Sequence, residues 1–190
     1  MSLIKYLIKI HKEHNMKKNF IAIKKEFITK AKCKSLIKTL DKNLITDGNE
    51  YSNYEFKDIK DKKIQQFIGE KALAMIKTYC SYYQELNMTK DKWALTSLRF
   101  KKFKPGQAFY AWHSEHSGKY STRVMVFQLY LTDHNCGTEF FSGETIYSDA
   151  GKAVLFPAYF THTHRGQVCP QNKTRYIITG YYNFISLVSK

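Results

Sequence analysis

The sequence predicts an α+β chain that is mainly β. Two amphipathic helices come first and about seven short strands follow. Three observations carry this. Apolar residues recur at helical spacing between about residues 29 and 88. From Leu95 onward the period changes to two, with turn residues at short intervals. The aromatic residues, 15% of the chain, concentrate in the second half. So many short strands call for a closed or sandwich-like β structure, and the two helices are available to cover one of its sheets.

The elements follow in order. Asn19 to Ile23 is a short apolar run and predicts a strand. Thr29 is placed as an N-cap for a helix over Lys30 to Leu40. Cys33, Leu36, Ile37 and Leu40 form its apolar stripe, with lysines opposite. Asn43 to Phe56 contains Asp47-Gly48-Asn49 and no periodicity, so it is predicted as a loop. A longer helix is expected from about Ile59 to Leu86, burying Ile64, Phe67, Ile68, Met75, Ile76, Tyr79, Tyr82, Tyr83 and Leu86. Beyond it, Leu95, Ser97, Arg99 and Lys101 alternate with Thr96, Leu98, Phe100 and Lys102. Pro105-Gly106 marks a turn, and Phe109 to Glu115 is expected as the next strand. Arg123 to Thr132 is a near-continuous apolar run, the mark of a central strand buried on both faces. Thr138 to Phe141, Thr145 to Ser148, Ala153 to Phe156 and Thr174 to Phe184 complete the strands. The expected organisation is a basic extension over 1–18 and one domain over 19–190, its helical part at 29–88 and its β core at 95–186.

The chain has 190 residues and a formal charge of +15. Hydrophobic content of 43% excludes a disordered protein. The lysine excess is densest in the first 40 residues. A field of that sign attracts nucleic acid, acidic protein or an anionic membrane. A Lys-rich composition that merely solvates the surface accounts for it as well. Leu3 to Ile10 could form a short amphipathic helix. It is too interrupted by lysines for a signal peptide, and no stretch approaches the ~18 apolar residues of a membrane span. The four cysteines, Cys33, Cys80, Cys136 and Cys169, show no C-x-x-C spacing. Reduced thiols and a cytoplasmic location are the expectation.

The chemistry-bearing pattern lies at Trp112-His113-Ser114-Glu115. In an extended segment His113 and Glu115 point to the same side and can share one metal ion. A strand after Pro157 would bring a third ligand from Thr161-His162-Thr163-His164-Arg165-Gly166. If that stretch is extended, His162 and His164 point the same way, and only one is needed. Two His and one carboxylate form the facial set that holds non-haem Fe(II) with open positions. His116 and His134 sit in turn-like stretches and are expected to face solvent. His11 and His14, in the Lys-rich terminus, are expected to be incidental. Arg175 opens an apolar strand, where a guanidinium is costly unless a carboxylate meets it. Thr179, four residues on, shares its face with Ile177. The trio could hold a small dicarboxylate, to which Tyr130 could add a phenolic hydroxyl.

These residues resemble the Fe(II)- and 2-oxoglutarate-dependent oxygenases, and within them the prolyl 4-hydroxylase-like group. The family pattern of His-x-Asp/Glu, a later His and an Arg beyond it falls on His113-Ser-Glu115, His162 and Arg175. Phe103-Lys-Pro-Gly106 is similar to the Tyr-Pro-Gly turn ahead of the first pair. Leu129-Tyr-Leu131 with Gly137-Thr-Glu-Phe140 resembles the central strand and the turn after it. Leu155-Phe-Pro157, followed by His162, has the family's spacing. Thr174-Arg-Tyr-Ile-Ile-Thr179 resembles its 2-oxoglutarate strand, and Cys33 with Leu36-Ile37 its early helix. Two positions depart from the pattern: Glu115 replaces the commoner Asp, and Phe103 stands where many peptidyl prolyl hydroxylases have Tyr.

The resemblance implies a double-stranded β-helix (jelly-roll) core with the helices packed on one sheet. It implies His113, Glu115 and His162 as metal ligands, with His164 the alternative to His162. It implies Arg175, Thr179 and Tyr130 as the 2-oxoglutarate pocket, with Trp112 or Arg123 bordering the substrate mouth. Fe(II), 2-oxoglutarate and O2 would be the cofactors, with ascorbate a candidate reductant. The expected reaction is hydroxylation of a prolyl or other peptidyl or amino-acid substrate. Two other readings are an oxygenase acting on nucleic acid, from the charge, and a non-enzymatic metal-binding jelly roll serving as an interaction protein.

Overall fold

The computed structural model describes residues 19–168 and 172–185. The expectations for the extension 1–18, with its Leu3 to Ile10 helix, His11 and His14, and for Cys169, lie outside the described residues.

Two helices form as their caps dictate. In α1 (Lys30–Leu40), Thr29 Oγ1 accepts the Lys32 N–H at 3.2 Å, and Cys33, Leu36 and Leu40 are buried. In α2 (Lys62–Tyr82), Asp61 Oδ1 accepts the N–H groups of Lys63 and Ile64 at 2.9 and 3.1 Å. That cap starts the helix three residues later than the apolar stripe suggests. At the other end Tyr83 leaves helical dihedrals, and the chain continues as a 3-10 turn over Gln84–Met88. Ile68, Ala72, Met75, Ile76 and Tyr79 are its buried face.

Eleven strands lie among the described residues: β1 (Ala22–Lys24), β2 (Ile45–Gly48), β3 (Ser52–Asp58), β4 (Trp93–Phe103), β5 (Ala108–Phe109), β6 (Arg123–Tyr130), β7 (Gly137–Phe140), β8 (Thr145–Tyr147), β9 (Ala153–Pro157), β10 (His164–Gly166) and β11 (Arg175–Phe184). Every pairing is antiparallel. The larger sheet runs β1-β9-β6-β11-β4-β3-β2, with β5 paired to β3. The smaller runs β10-β7-β8. The predicted loop over Asn43 to Phe56 is instead the β2–β3 hairpin. Its turn signal is real, but Tyr54 and Phe56 alternate beside it and β3 extends the larger sheet by pairing with β4. The predicted strand over Phe109 to Glu115 is also corrected. Only Ala108–Phe109 is a strand, and His113 makes one isolated bridge, to His164.

Two core layers result from the period-two alternation of the central strands. Phe127 and Leu129 of β6, with Ile178 and Tyr182 of β11, pack under the helices. Val126, Tyr130, Ile177 and Tyr181 face the other way, toward Phe140, Ile146 and Phe156. A narrow cavity lined by Phe103, Tyr130 and Ile177 opens into this second layer. Within the smaller sheet β7 and β8 approach closely at Gly137, where a Cβ would stand 1.9 Å from the Ile146 carbonyl oxygen. Only glycine allows that approach.

Cys33 and Cys80 are free thiols. Cys136 is disulfide-bonded, which corrects the expectation of four reduced cysteines; its partner lies outside the described residues. Among the described residues no helix is long and apolar enough to cross a membrane.

Candidate metal and cosubstrate site

A cross-strand register brings two distant histidines together. His113 N–H donates to the His164 carbonyl at 3.0 Å, and His164 N–H to the His113 carbonyl at 2.9 Å. Residues directly opposite in such a bridge share a face, so the two rings lie 4.5 Å apart between centroids. Glu115, two residues on from His113, turns its carboxylate to within 3.7 Å of His113 Nε2. One ligand atom each from His113, Glu115 and His164 lies within 4.8 Å of the others.

The second nitrogen of each ring fixes its tautomer. His113 Nδ1–H donates to the Ala111 carbonyl at 3.0 Å and His164 Nδ1–H to the His162 carbonyl at 2.9 Å. A carbonyl only accepts, so Nδ1 carries a proton in both rings, and in the neutral ring Nε2 holds the lone pair a metal needs. Burial, reinforced by the neighbouring His113 ring, pushes the His164 ring down to about 4 and keeps it neutral. Burial pushes the Glu115 carboxyl up, but the His113 ring and the Lys101 charge outweigh it and hold the group at about 2. Tyr181 Oη donates to Glu115 Oε1 at 3.1 Å, and the Arg123 guanidinium pairs with Oε2. Arg123 is itself sandwiched between the rings of Tyr120 and Tyr181, 3.7 and 3.5 Å from their centroids. Two imidazole Nε2 atoms and an ionised carboxylate on one side of a space fit a divalent ion with further positions open.

Between His162 and His164 the geometry separates the two readings. The stretch is not extended: Phe160–His162 is a 3-10 turn, and β10 begins only at His164. Period-two alternation therefore does not apply across Thr163. Both ring nitrogens of His162 are engaged away from the site. Nε2–H donates to the Asn19 carbonyl at 2.7 Å, and Nδ1 accepts from Thr161 Oγ1 at 2.9 Å. His164 is the histidine that joins His113 and Glu115.

The same narrow cavity extends from the triad to Arg175, lined by Lys101, Phe103, Tyr130, Thr138, Ile177 and Thr179 among others. Arg175 does not reach solvent; it is 2% exposed. Its Nη1 donates to the Gly137 carbonyl at 3.1 Å and lies 3.5 Å from Cys136 Sγ, while the guanidinium stacks 4.7 Å from the Phe103 centroid. The position that departs from the expected Tyr thus supplies an aromatic floor. Burial lowers the Arg175 pKa to about 10. Among the described residues Arg175 Nε and Thr179 Oγ1 are buried without a hydrogen-bond partner. Such orphans cost free energy unless a ligand meets them. A carboxylate between them fits. Tyr130 Oη lines the cavity and already donates, to Thr138 Oγ1 at 2.8 Å. A wider groove of about 870 Å³ between α2 and β4 contains none of these residues.

No protein-family model matches the chain, and no curated protein matches it. Solved structures do. A viral collagen prolyl hydroxylase from Paramecium bursaria Chlorella virus-1, in complex with 2-oxoglutarate, superposes with a TM-score of 0.69 at 16% identity, over 87% of this chain and 97% of that one. HygX from Streptomyces hygroscopicus, with nickel and 2-oxoglutarate bound, gives 0.67 at 8% identity, over 96% of this chain and 87% of its own. A prolyl hydroxylase from Trichoplax adhaerens, in complex with a hypoxia inducible factor peptide fragment, gives 0.65 at 14% identity, over 97% and 94%. The chain has the jelly-roll fold of the prolyl hydroxylases.

Within the jelly roll, several sequence expectations change. His134 is buried and bonds the Thr174 carbonyl through Nε2 at 3.1 Å. His116 is half-buried and bonds the Arg123 carbonyl through Nδ1 at 2.8 Å. Neither faces solvent freely, because buried carbonyls in the turns recruit them. Arg123 braces Glu115, and Trp112 is 37% exposed. Lys101, Gln128 and Tyr181 line or brace the site and were not singled out by sequence reasoning. For Lys101 the signal was present: a lysine in mid-strand, on the same alternating face as Phe103.

Proposed function

We propose that the protein is an Fe(II)- and 2-oxoglutarate-dependent dioxygenase that hydroxylates a peptidyl substrate, prolyl or similar. One observation carries the reading: a His–His–carboxylate set shares a cavity with a buried arginine that, among the described residues, lacks a carboxylate partner. Bound Fe(II) with 2-oxoglutarate and O2 supplies the oxidising chemistry, giving succinate and CO2 as a C–H bond is hydroxylated. The chain's residues bind and orient. His113 and His164 offer Nε2, and Glu115 offers charge held in place by Tyr181 and Arg123. Arg175 and Thr179 take the far carboxylate of 2-oxoglutarate by charge-assisted bonds, with Tyr130 at the same wall. Phe103 and Ile177 keep water from that end.

The peptidyl substrate is supported by the rim. Trp112 and Phe141 pack edge to face at 5.3 Å, and the Arg165 guanidinium lies 4.5 Å over Trp112. Phe141 is 72% exposed. Trp112 and Arg165 adjoin His113 and His164 in sequence, and exposed aromatic and arginine anchors are the residues peptide interfaces use. The Trichoplax relative was solved with a peptide bound. The test is purified protein with Fe(II), ascorbate and 2-oxoglutarate. Succinate should form above a protein-free control and vanish in His164→Ala. Peptides should then be screened by mass for one added oxygen atom. No succinate, with or without peptides, overturns the reading.

A further inference from the structure

Lys101 is the charged group in the cavity that the reading above leaves without a task. It lies on β4 opposite Ile177 of β11, with Arg175 opposite Phe103 and Thr179 opposite Arg99. Its side chain therefore stands on the same face as Arg175 and Thr179, between them along the strand. It lines the cavity together with His113, Glu115, His164 and Arg175.

Charge on this face is unbalanced. Arg99 is paired with Asp58 at 2.8 Å, and Arg123 with Glu115. Among the described residues Glu115 is the one carboxylate lining the cavity, and its oxygens are already bonded by Arg123 and Tyr181. Among the described residues Lys101 has no hydrogen bond or ion pair. Its contact is with the Tyr54 ring, 5.3 Å from Nζ to centroid. Two cations thus remain without a counter-charge, Lys101 and Arg175. A lysine without a partner inside a protein is expensive. Two such cations on one wall suit a dianion.

Spacing assigns the ends. Arg175 and Lys101 are diagonal neighbours across the strands, a separation of about 7–8 Å between α-carbons, the order of the two ends of a five-carbon diacid. Lys101 also stands nearer than Arg175 to Tyr181, the residue of this face that bonds Glu115, so its end of the cavity is the triad's end.

We propose that Lys101 is a second anchor for 2-oxoglutarate, holding the carboxylate next to the metal site while Arg175 holds the far one. This rests on the dioxygenase reading, and the experiment separates the two. The full chain, loaded with redox-silent Mn(II), is titrated calorimetrically with 2-oxoglutarate and with 2-oxopentanoate, which keeps the near carboxylate and lacks the far one. Wild type, Lys101→Met, Lys101→Gln, Lys101→Arg and Arg175→Met are compared, each checked for folding by circular dichroism.

Lys101→Met and Lys101→Gln should weaken both ligands by a similar factor, roughly 10–100-fold for a lost charge-assisted bond. Lys101→Arg should recover most of the affinity. Arg175→Met should weaken 2-oxoglutarate by that order and leave 2-oxopentanoate nearly unchanged. If wild type binds 2-oxoglutarate while Lys101→Met or Lys101→Gln binds both ligands as wild type does, the anchor is wrong and the dioxygenase reading stands. Loss of 2-oxoglutarate alone places Lys101 at the far carboxylate and also overturns the proposal. A wild type that binds neither ligand sinks the dioxygenase reading and the anchor together.

Discussion

Replacing His162 and His164 in turn divides metal binding from folding. His164→Ala removes a donor whose Nε2 has no other use, whereas His162→Ala removes a ring with both nitrogens engaged, at 2.7 and 2.9 Å. In the metal-free protein His162→Ala strands the Asn19 carbonyl and should cost about 1–3 kcal/mol. For a domain of this size that is about 2–4 °C of Tm per kcal/mol. Mn(II) at 100 times its Kd stabilises the native state by about 2.7 kcal/mol, hence a rise of about 5–10 °C. The assay is differential scanning fluorimetry with and without Mn(II). His162→Ala should start lower and keep the full metal-dependent rise. His164→Ala should lose the rise, since two of three donors remain. A His162→Ala protein that loses the rise, beside a His164→Ala protein that keeps it, would refute the geometry.

Two more outcomes follow. Arg175→Met deletes a buried cation that meets no carboxylate, so the ligand-free protein should be as stable as wild type or more stable, read as urea midpoint. Its 2-oxoglutarate-dependent rise in Tm should be absent. Tyr181→Phe removes the hydroxyl that steadies Glu115 Oε1 at 3.1 Å. Mn(II) affinity should fall roughly 10–100-fold, as for lost support of a metal ligand, with kcat following metal occupancy and the fold unchanged by circular dichroism.

The central strands and first helix were legible because their residues agree at every level. Arg123 to Thr132 is apolar on both faces and sits between two core layers, and Thr29 caps α1 as its side chain requires. Other elements depended on partners that sequence does not show. β3 exists because β4 offers it an edge, and that pairing turns a loop-like, Asp-Gly-containing stretch into a hairpin. His113 and Glu115 do come together, but for a different reason than strand alternation. His113 is fixed by one bridge to His164, and Glu115 by Tyr181 and Arg123.

That bracing also accounts for a glutamate at this position. A carboxylate on a longer stem has one more rotatable bond than aspartate and loses more rotamer freedom when held. Here the stem is pinned from two sides, by a phenol from β11 and by a guanidinium clamped between Tyr120 and Tyr181. Tyr181 lies six residues past Arg175 on the same strand face. One face of β11 therefore carries Arg175, the proposed cosubstrate anchor, at one end and the brace for Glu115 at the other. Shortening Glu115 would withdraw the carboxylate from both braces at once, so the glutamate and the Arg123–Tyr181 pair are best understood as one unit.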